Sequence, residues 1–520
     1  MFAKQINETM KNFATDAITV GVAGTGAMGR GIVQVMVQGG CNVLLYDALE
    51  GAAQKARDYV ESMLVKLAEK GRLTAQQAGE MRDRLHIVAD VAGFKPCDLG
   101  VEVIVENLAI KKEFFAKLEA AVNDDCVLAT NTSSLSVTAI AAACKRPERV
   151  AGYHFFNPVP LMKVVEVIAG ARTGPGICEA LTALTKRFGH TAVNAADTPG
   201  FIVNHAGRGY GTEALKVLGE GVTSFHALDR IMTGAAGFRL GPCELLDLTG
   251  MDVSHPVMES IYHQYYEEPR YRPSVIGQQR KDAGLLGRKT GQGFYRHPDG
   301  KQEVFPDPAV PATRPDSVWI SRAAAQANPT GHAAAMELIA KLGVRLEGGA
   351  TPSGTALIVV TPLGTDATGA ALDEHLDATR TVALDTLLPL SLRRTVMTTP
   401  VTRPEVRDAA HGLFGADGVP VTVIRDSAGF VAQRILAAIV NVGCDIAQQG
   451  VCSPSDLDLA VTLGLSYPKG PLAFGDALGA MRVLTILQNI QMVTGDPRYR
   501  PSPWLTRRAR LGVSLLSPES

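Results

Sequence analysis

At 520 residues and 55.1 kDa, with 20% charged residues and a formal net charge of -1, the chain is too long for one ordinary domain and has no basic footprint of a nucleic-acid binder. No stretch approaches the ~20 apolar residues of a membrane span, and the stretch "MFAKQINETMKNFATD" has no continuous apolar h-region. Eight cysteines without a CxxC pair read as reduced, buried thiols, so a cytoplasmic protein acting on a small molecule is expected, with no metal, membrane or nucleic-acid partner.

Residues 17–24, "AITVGVAG", form a short apolar β-type run that leads into "GTGAMG" and a helix-like segment. Gly24, Gly26 and Gly29 make the G-x-G-x-x-G pattern, and with Ala27 and Met28 they form a candidate cofactor loop. The first glycine permits the tight turn, the second lets the backbone approach a pyrophosphate, and the third lets helix pack on strand. The helix N-terminus adds free amides and its dipole. A second strand over 41–46, "CNVLLY", ends in Asp47, placed to accept hydrogen bonds from an adenosine ribose and to repel a 2′-phosphate. NAD is therefore expected rather than NADP.

Apolar residues at i, i+3 and i+4 predict a long helical stretch over 51–84, followed by strands over 101–105 and 126–130. In doubly wound sheets ligands bind beyond the carboxyl ends of the strands, which puts Glu106, Asn107, Asn131, Thr132, Ser133 and Ser134 beside a nicotinamide and its substrate. Ser134 is expected to cap the next helix and Ser133 to serve the site. The following run, "YHFFNPVPLMKVVEV" at 153–167, commits His154 and Glu166 to a mostly apolar segment. Alone, such a histidine is usually a bonded core residue and such a glutamate usually faces solvent. A strand from Val150 brings His154 to the same sheet edge, however, and an extended return through "MKVVEV" sets Glu166 behind it. A carboxylate fixes the tautomer of a histidine and stabilises its protonated form, as a base for alcohol oxidation needs. Hydride then leaves the same carbon for the nicotinamide.

The pieces "GTGAMG", "VENLAIKKEFF", "NTSSLSVTAIA", "HFFNPVPLMKVVEVI", "DTPGFIVN", "GPCELLDLTGMD" and "GRKTGQGFY" follow one another through residues 17–297. In sequence and order they resemble the L-3-hydroxyacyl-CoA dehydrogenase family. The resemblance implies that His154 is the catalytic base, Glu166 its orienting partner, Ser133 a donor to the substrate oxygen, and Asn204 a group that fixes the reacting end. It further implies nicotinamide-side contacts from Glu106, Lys111 and Asn131, and acyl-CoA contacts from Asn157, Ser62 and Lys66. Cys243 stands where the family commonly carries phenylalanine, which bears on local packing. The implied reaction is oxidation of an L-3-hydroxyacyl-CoA, with 3-hydroxybutyryl-CoA and 3-hydroxyadipyl-CoA as first candidates. The alternatives are an L-gulonate-type hydroxyacid dehydrogenase and a non-catalytic, crystallin-like relative.

The second half repeats the first. "DTPGFIVN" at Asp197 recurs as "DSAGFVAQ" at Asp426, an offset of 229 at which Gly241 becomes Gly470, Asp247 becomes Asp476 and Gly250 becomes Gly479. The copy has no G-x-G-x-x-G, no HFFNP and no counterpart of Glu166, and Asn204 becomes Gln433. The expected order is an NAD-binding Rossmann domain over 1–196, a helical domain over 197–297, a Pro-rich linker over 298–330, a reduced Rossmann-like domain over 331–425 and a second helical domain over 426–520. By resemblance, the helical copy covers an apolar face that single-copy members cover with a second subunit. A monomer with an internal pseudo-dimer, or a homodimer, is expected.

Overall fold

The computed structural model describes residues 10–519, so the first nine residues of the leading stretch lie outside the described residues. The chain forms two compact units: the described residues up to His205 together with Gln449–Leu465, and Ala206–Gln448 together with the described residues from Ser466 onward.

The first unit is built on eight strands: β1 Thr19–Ala23, β2 Asn42–Tyr46, β3 Leu85–Ile87, β4 Leu99–Glu102, β5 Val127–Thr130, β6 Val150–Phe155, β7 Val164–Ala169 and β8 Thr191–Ala196, in the order β3-β2-β1-β4-β5-β6-β7-β8. Neighbours run parallel except β6 and β7, which are antiparallel. Both faces are covered. Val20, Val22, Val43 and Leu45 pack with the helix Ala27–Gln38 on one side, while Leu44, Leu118 and Leu128 pack around Phe94 and Phe115 on the other. The strand expected over 101–105 ends earlier, because the Glu102 carboxylate accepts the Ile104 amide at 2.7 Å and turns the chain out of the ladder. The single helix expected over 51–84 is two, Ala52–Glu69 and Ala75–Asp83. Gly71, at φ +67°, breaks it, and Thr74 and Gln77 close a capping box on the second.

The second unit holds a smaller sheet of β9 Ser317–Ile320, β10 Arg345–Leu346, β11 Leu357–Val360, β12 Thr381–Leu384, β13 Arg394–Thr398 and β14 Val421–Ile424, in the order β10-β9-β11-β12-β13-β14. Strand β9 lies inside the span expected to be linker, so this domain starts near Ser317 rather than at 331. Its four residues, "SVWI", are fully buried between β10 and β11, a run too short to stand out beside the Pro-rich stretch before it. Helix Arg208–Gly219 packs on helix Ala432–Gln448 so closely that a Cβ on Gly209 would lie 2.8 Å from the Ile439 Cα. Arg434 pairs with Glu213 at 2.9 Å, and the Tyr499 hydroxyl donates to the same carboxylate at 2.7 Å, all three groups being buried. Arg270 donates to the Arg500 carbonyl and Arg498 to the Arg272 carbonyl, each at 2.7 Å.

One element departs from the expected domain order. Helix Pro454–Leu465, expected within the second helical domain, belongs to the first unit and packs on β7 and β8. There the Ala196 amide donates to the Val451 carbonyl at 2.8 Å, and in the second unit the Arg425 amide donates to the Val222 carbonyl at 3.0 Å. These are the same repeat positions with the copies interchanged. Among the described residues no helix is long and apolar enough to cross a membrane. The eight cysteines are free, and burial pushes the thiols of Cys41 and Cys126 up to about 11 and about 12, so they act as packing groups.

Deleting residues 301–520 would strip helix Arg208–Gly219 of its partner and β7–β8 of their covering helix. Size-exclusion chromatography of the 1–300 fragment is expected to show aggregation or self-pairing beside a well-behaved full chain. A stable monomeric fragment would contradict this packing role.

Candidate active site

The glycine loop meets the demands of a dinucleotide on its own geometry. Gly24 sits at φ +93°, and a Cβ there would overlap the Val103 carbonyl; a Cβ on Gly29 would overlap the carbonyl of Gly24. Gly26 differs, since a Cβ on it would meet nothing within 4 Å. Packing thus requires the first and third glycines, while the second leaves open space against the backbone at the start of helix Ala27–Gln38, which has no side-chain cap. Asp47, just past β2, accepts the Thr25 amide and hydroxyl at 2.7 and 2.8 Å and the Leu49 amide at 2.9 Å. Burial pushes its pKa up, but these bonds more than offset that, and the carboxyl lies below its ordinary range. An ionised Asp47 therefore both buttresses the loop and stands at the expected ribose position.

Glu106 organises the residues beyond β5. One of its oxygens accepts the Thr132 hydroxyl at 2.6 Å, the Ser133 amide at 3.0 Å, and the Ser134 hydroxyl and amide at 3.0 and 3.2 Å. The other lies 3.2 Å from the Lys111 ammonium. Burial pushes the Glu106 pKa up, while the Thr132, Lys111, Ser133 and Ser134 interactions together hold it below the usual range. Lys111 is itself enclosed, 2.6 Å from the fully buried Glu102, which also accepts the Thr130 hydroxyl at 2.7 Å. Sequence reasoning missed Glu102. A glutamate closing the buried strand "LGVE" was its only signal.

Ser134 does not cap the next helix. That cap is Ser136, whose hydroxyl accepts the Ala139 amide at 3.1 Å, because the turn runs two residues further before helix Val137–Ala141 begins. Asp197 supports the same helix end, accepting the Val137 and Thr138 amides at 3.0 and 2.7 Å and the Ser136 hydroxyl at 2.8 Å. Its repeat partner Asp426 does likewise for helix Ala367–Asp373, accepting the amides of Ala367 and Thr368 and the Thr368 hydroxyl. This shared task explains why the aspartate of the "DTPGF" and "DSAGF" motifs is kept in both copies.

His154 and Glu166 face each other in register across β6 and β7. His154 Nδ1 lies 2.6 Å from Glu166 Oε2, the histidine is 5% exposed and the glutamate 0%. The other glutamate oxygen accepts the Ile202 and Val203 amides at 2.9 and 2.8 Å. Filled acceptors on Glu166 fix the tautomer: Nδ1 carries the proton and donates, leaving Nε2 as the basic nitrogen, with no hydrogen bond among the described residues. Phe156 and Phe201 flank the ring at centroid distances of 4.5 and 5.9 Å. Asn131 Oδ1 accepts the Phe155 amide at 2.8 Å and ties β5 to the histidine strand. The Asn204 amide lies 3.5 Å from the Ser133 carbonyl, while the Ser133 hydroxyl has no partner among the described residues. Asn157 lines a cavity of about 240 Å³ with Arg30 and Tyr59, and Ser62 and Lys66 lie on the exposed face of helix Ala52–Glu69. Cys243 fills a buried cluster with Leu215, Leu246 and Met251, so a smaller side chain is accommodated there.

Residues 19–198 match the family model described as the 3-hydroxyacyl-CoA dehydrogenase NAD binding domain, and residues 200–297 and 429–514 match the C-terminal domain model. The chain is 36% identical over 493 residues to 3-hydroxyadipyl-CoA dehydrogenase of Escherichia coli K12, covering 95% of this chain and 98% of that protein. The chain belongs to the 3-hydroxyacyl-CoA dehydrogenase family. A solved 3-hydroxybutyryl-CoA dehydrogenase structure from Escherichia coli K12 matches at a TM-score of 0.83 with 34% identity, over 96% of this chain and 99% of that one. Human mitochondrial hydroxyacyl-coenzyme A dehydrogenase is 38% identical over 284 residues, 54% of this chain and 90% of its own length. This 3-hydroxyacyl-CoA dehydrogenase is thus an NAD-dependent oxidoreductase whose C-terminal domain occurs twice.

Because the folded pKa of Glu106 lies below that of an ordinary glutamate, its contribution to stability is fully present above about pH 4.3 and lost as pH falls through the lower folded value. The Tm difference between wild type and Glu106→Gln is expected to be widest near neutrality and to close below about pH 4. Scanning calorimetry across that range checks the sign; a difference that grows on acidification contradicts it.

Proposed function

We propose that this enzyme oxidises a short or dicarboxylic L-3-hydroxyacyl-CoA to the 3-oxoacyl-CoA, with His154 as general base. The observation that carries the reading is the 2.6 Å contact between His154 Nδ1 and a glutamate already anchored by two backbone amides. That arrangement leaves Nε2 as the only site on the ring where a proton can be taken up. The substrate hydroxyl proton passes to Nε2 as the C–H electron pair departs from the same carbon and the carbonyl forms. Glu166 stabilises the resulting imidazolium through its hydrogen bond to Nδ1. The Ser133 hydroxyl steadies the substrate oxygen, and Asn204 holds the reacting end. Gly24, Gly26, Ala27, Met28 and Gly29 would hold the NAD pyrophosphate, Asp47 the ribose, and Glu106, Lys111 and Asn131 the nicotinamide side; bound there, NAD would supply the hydride acceptor. Asn157, Ser62 and Lys66 serve the acyl-CoA.

The acyl preference follows the relatives that the chain matches over nearly its whole length, named for 3-hydroxyadipyl-CoA and 3-hydroxybutyryl-CoA. The packing of helix Arg208–Gly219 on helix Ala432–Gln448 supports an internal pseudo-dimer able to work as a monomer. A panel of 3-hydroxyacyl-CoAs of increasing length, with and without a terminal carboxylate, read at the NADH absorbance, tests the substrate class. Turnover of free hydroxyacids without CoA would overturn it.

His154→Ala is expected to lower kcat by about two to four decades with little change in NAD affinity. Glu166→Gln should add little in that background, because the two side chains act as one unit; near-additive losses would show the glutamate working elsewhere. Asp47→Ala is expected to weaken NAD binding and narrow the gap to NADP, and an enzyme already preferring NADP would remove Asp47 from the ribose.

A further inference from the structure

The second unit contains a cavity of about 800 Å³, formed by the first turns of helix Phe225–Gly234, residues 308–311 and the segment 398–425. Five basic side chains line it: His226, Arg230, Arg407, His411 and Arg425, with Asp408 as the acidic member. The basic set is not inherited from the duplicated fold. At the corresponding repeat positions stand Ser455, Leu459, Cys178, Thr182 and Ala196, none of them basic.

The internal partners of these groups leave a defined surplus. Arg230 donates to the carbonyls of Phe305 and Pro306 at 2.8 and 2.9 Å and shares the Asp307 carboxylate with Arg393. Arg407 pairs with Asp408 at 2.9 Å, and His226 is held by Arg230 at 3.2 Å and Ser224 at 3.3 Å. The exposed Arg425 makes no side-chain hydrogen bond or ion pair among the described residues. His411 is 8% exposed, and its Nε2 is buried at the cavity without a hydrogen-bond partner among the described residues. A buried polar nitrogen left unpaired costs free energy that a hydrogen-bonding ligand recovers. The helix whose first turn lines the cavity adds positive potential at that end. Val222, Ala227, Pro308, Val421 and Val423 supply an apolar wall beside these polar groups.

We propose that this cavity binds a small organic carboxylate, its charged end at Arg425 and His411 and its carbon body against the apolar wall. The planar fork of a guanidinium matches a carboxylate. The carboxylate of Asp408 disfavours the greater charge of a phosphate dianion, and the volume exceeds what a bare inorganic ion fills. The site is separate from the chemistry of His154 and Glu166, which lies in the first unit.

Titration calorimetry of the full chain with hexanoate, adipate, inorganic phosphate and neutral hexan-1-ol at low ionic strength tests this. A carboxylate is expected to bind at one site that hexan-1-ol does not reach, with affinity falling as salt is added. Arg425→Ala, at an exposed position, is expected to weaken it at least about tenfold with Tm unchanged. Arg407→Ala serves as a second surface variant, expected to move the affinity less because Asp408 already neutralises Arg407. Carboxylate binding unaffected by Arg425→Ala would place the acid elsewhere and overturn the proposal. So would binding of phosphate alone, or no carboxylate binding up to about 10 mM.

Discussion

The first unit turns on the buried carboxylate of Glu166. A charged group at 0% exposure is costly unless its acceptors are filled, and here one oxygen takes the histidine ring nitrogen while the other takes two consecutive backbone amides. Those amides belong to the turn after Gly200, where Phe201 adopts φ +49° and lies against the histidine ring. The glutamate therefore does two things at once: it orients the His154 ring, and it fixes the turn that leads into Asn204. Antiparallel pairing of β6 with β7 in an otherwise parallel sheet makes this possible, because only a return strand sets position 166 directly opposite 154.

The second copy shows which parts of that arrangement the fold itself needs. Asp426 accepts the first amides of a helix as Asp197 does, and Phe430 repeats the left-handed conformation of Phe201. Gly152 lies opposite the last residue of β5 and Ala383 opposite the last residue of β11, so two residues on, and two residues off the 229 offset, Asp385 stands where His154 does, its amide donating to the Thr395 carbonyl at 3.0 Å. Asp385 is buried, 7% exposed, and accepts the Gln433 amide at 3.0 Å, while Gln433 Oε1 accepts the Gly364 amide at 2.8 Å. The place of the histidine has become a closed polar knot that holds strand ends together. Turn, helix-start aspartate and sheet survive because packing demands them, whereas the histidine does not.

What was legible in the sequence was whatever is written at short range or at a fixed period. The glycine loop, Asp47 after the second strand, and the histidine and glutamate on adjoining strands could all be placed from spacing and strand logic. So could the duplication, from its constant offset. Features that depend on distant segments were hidden. Strand β9 is four residues long and becomes recognisable only between its neighbours in the sheet. Ser136 rather than Ser134 caps its helix because Glu106, from another strand, claims Ser134. Nothing near Pro454 announces that its helix packs on a sheet completed by residue 196. The basic groups around the second-unit cavity come from three separate stretches and form no local motif.

That last packing has a consequence during synthesis. Helix Pro454–Leu465 begins 258 residues after β8 ends, so the sheet carrying His154 leaves the ribosome long before its own cover exists. At about 5–20 residues per second, β7 and β8 wait on the order of ten seconds to a minute for that helix. During this interval an apolar strand face is open to other nascent chains, and a chaperone that shields it has a defined window in which to act. The late arrival of this helix thus defers completion of the first unit's sheet until translation is almost over.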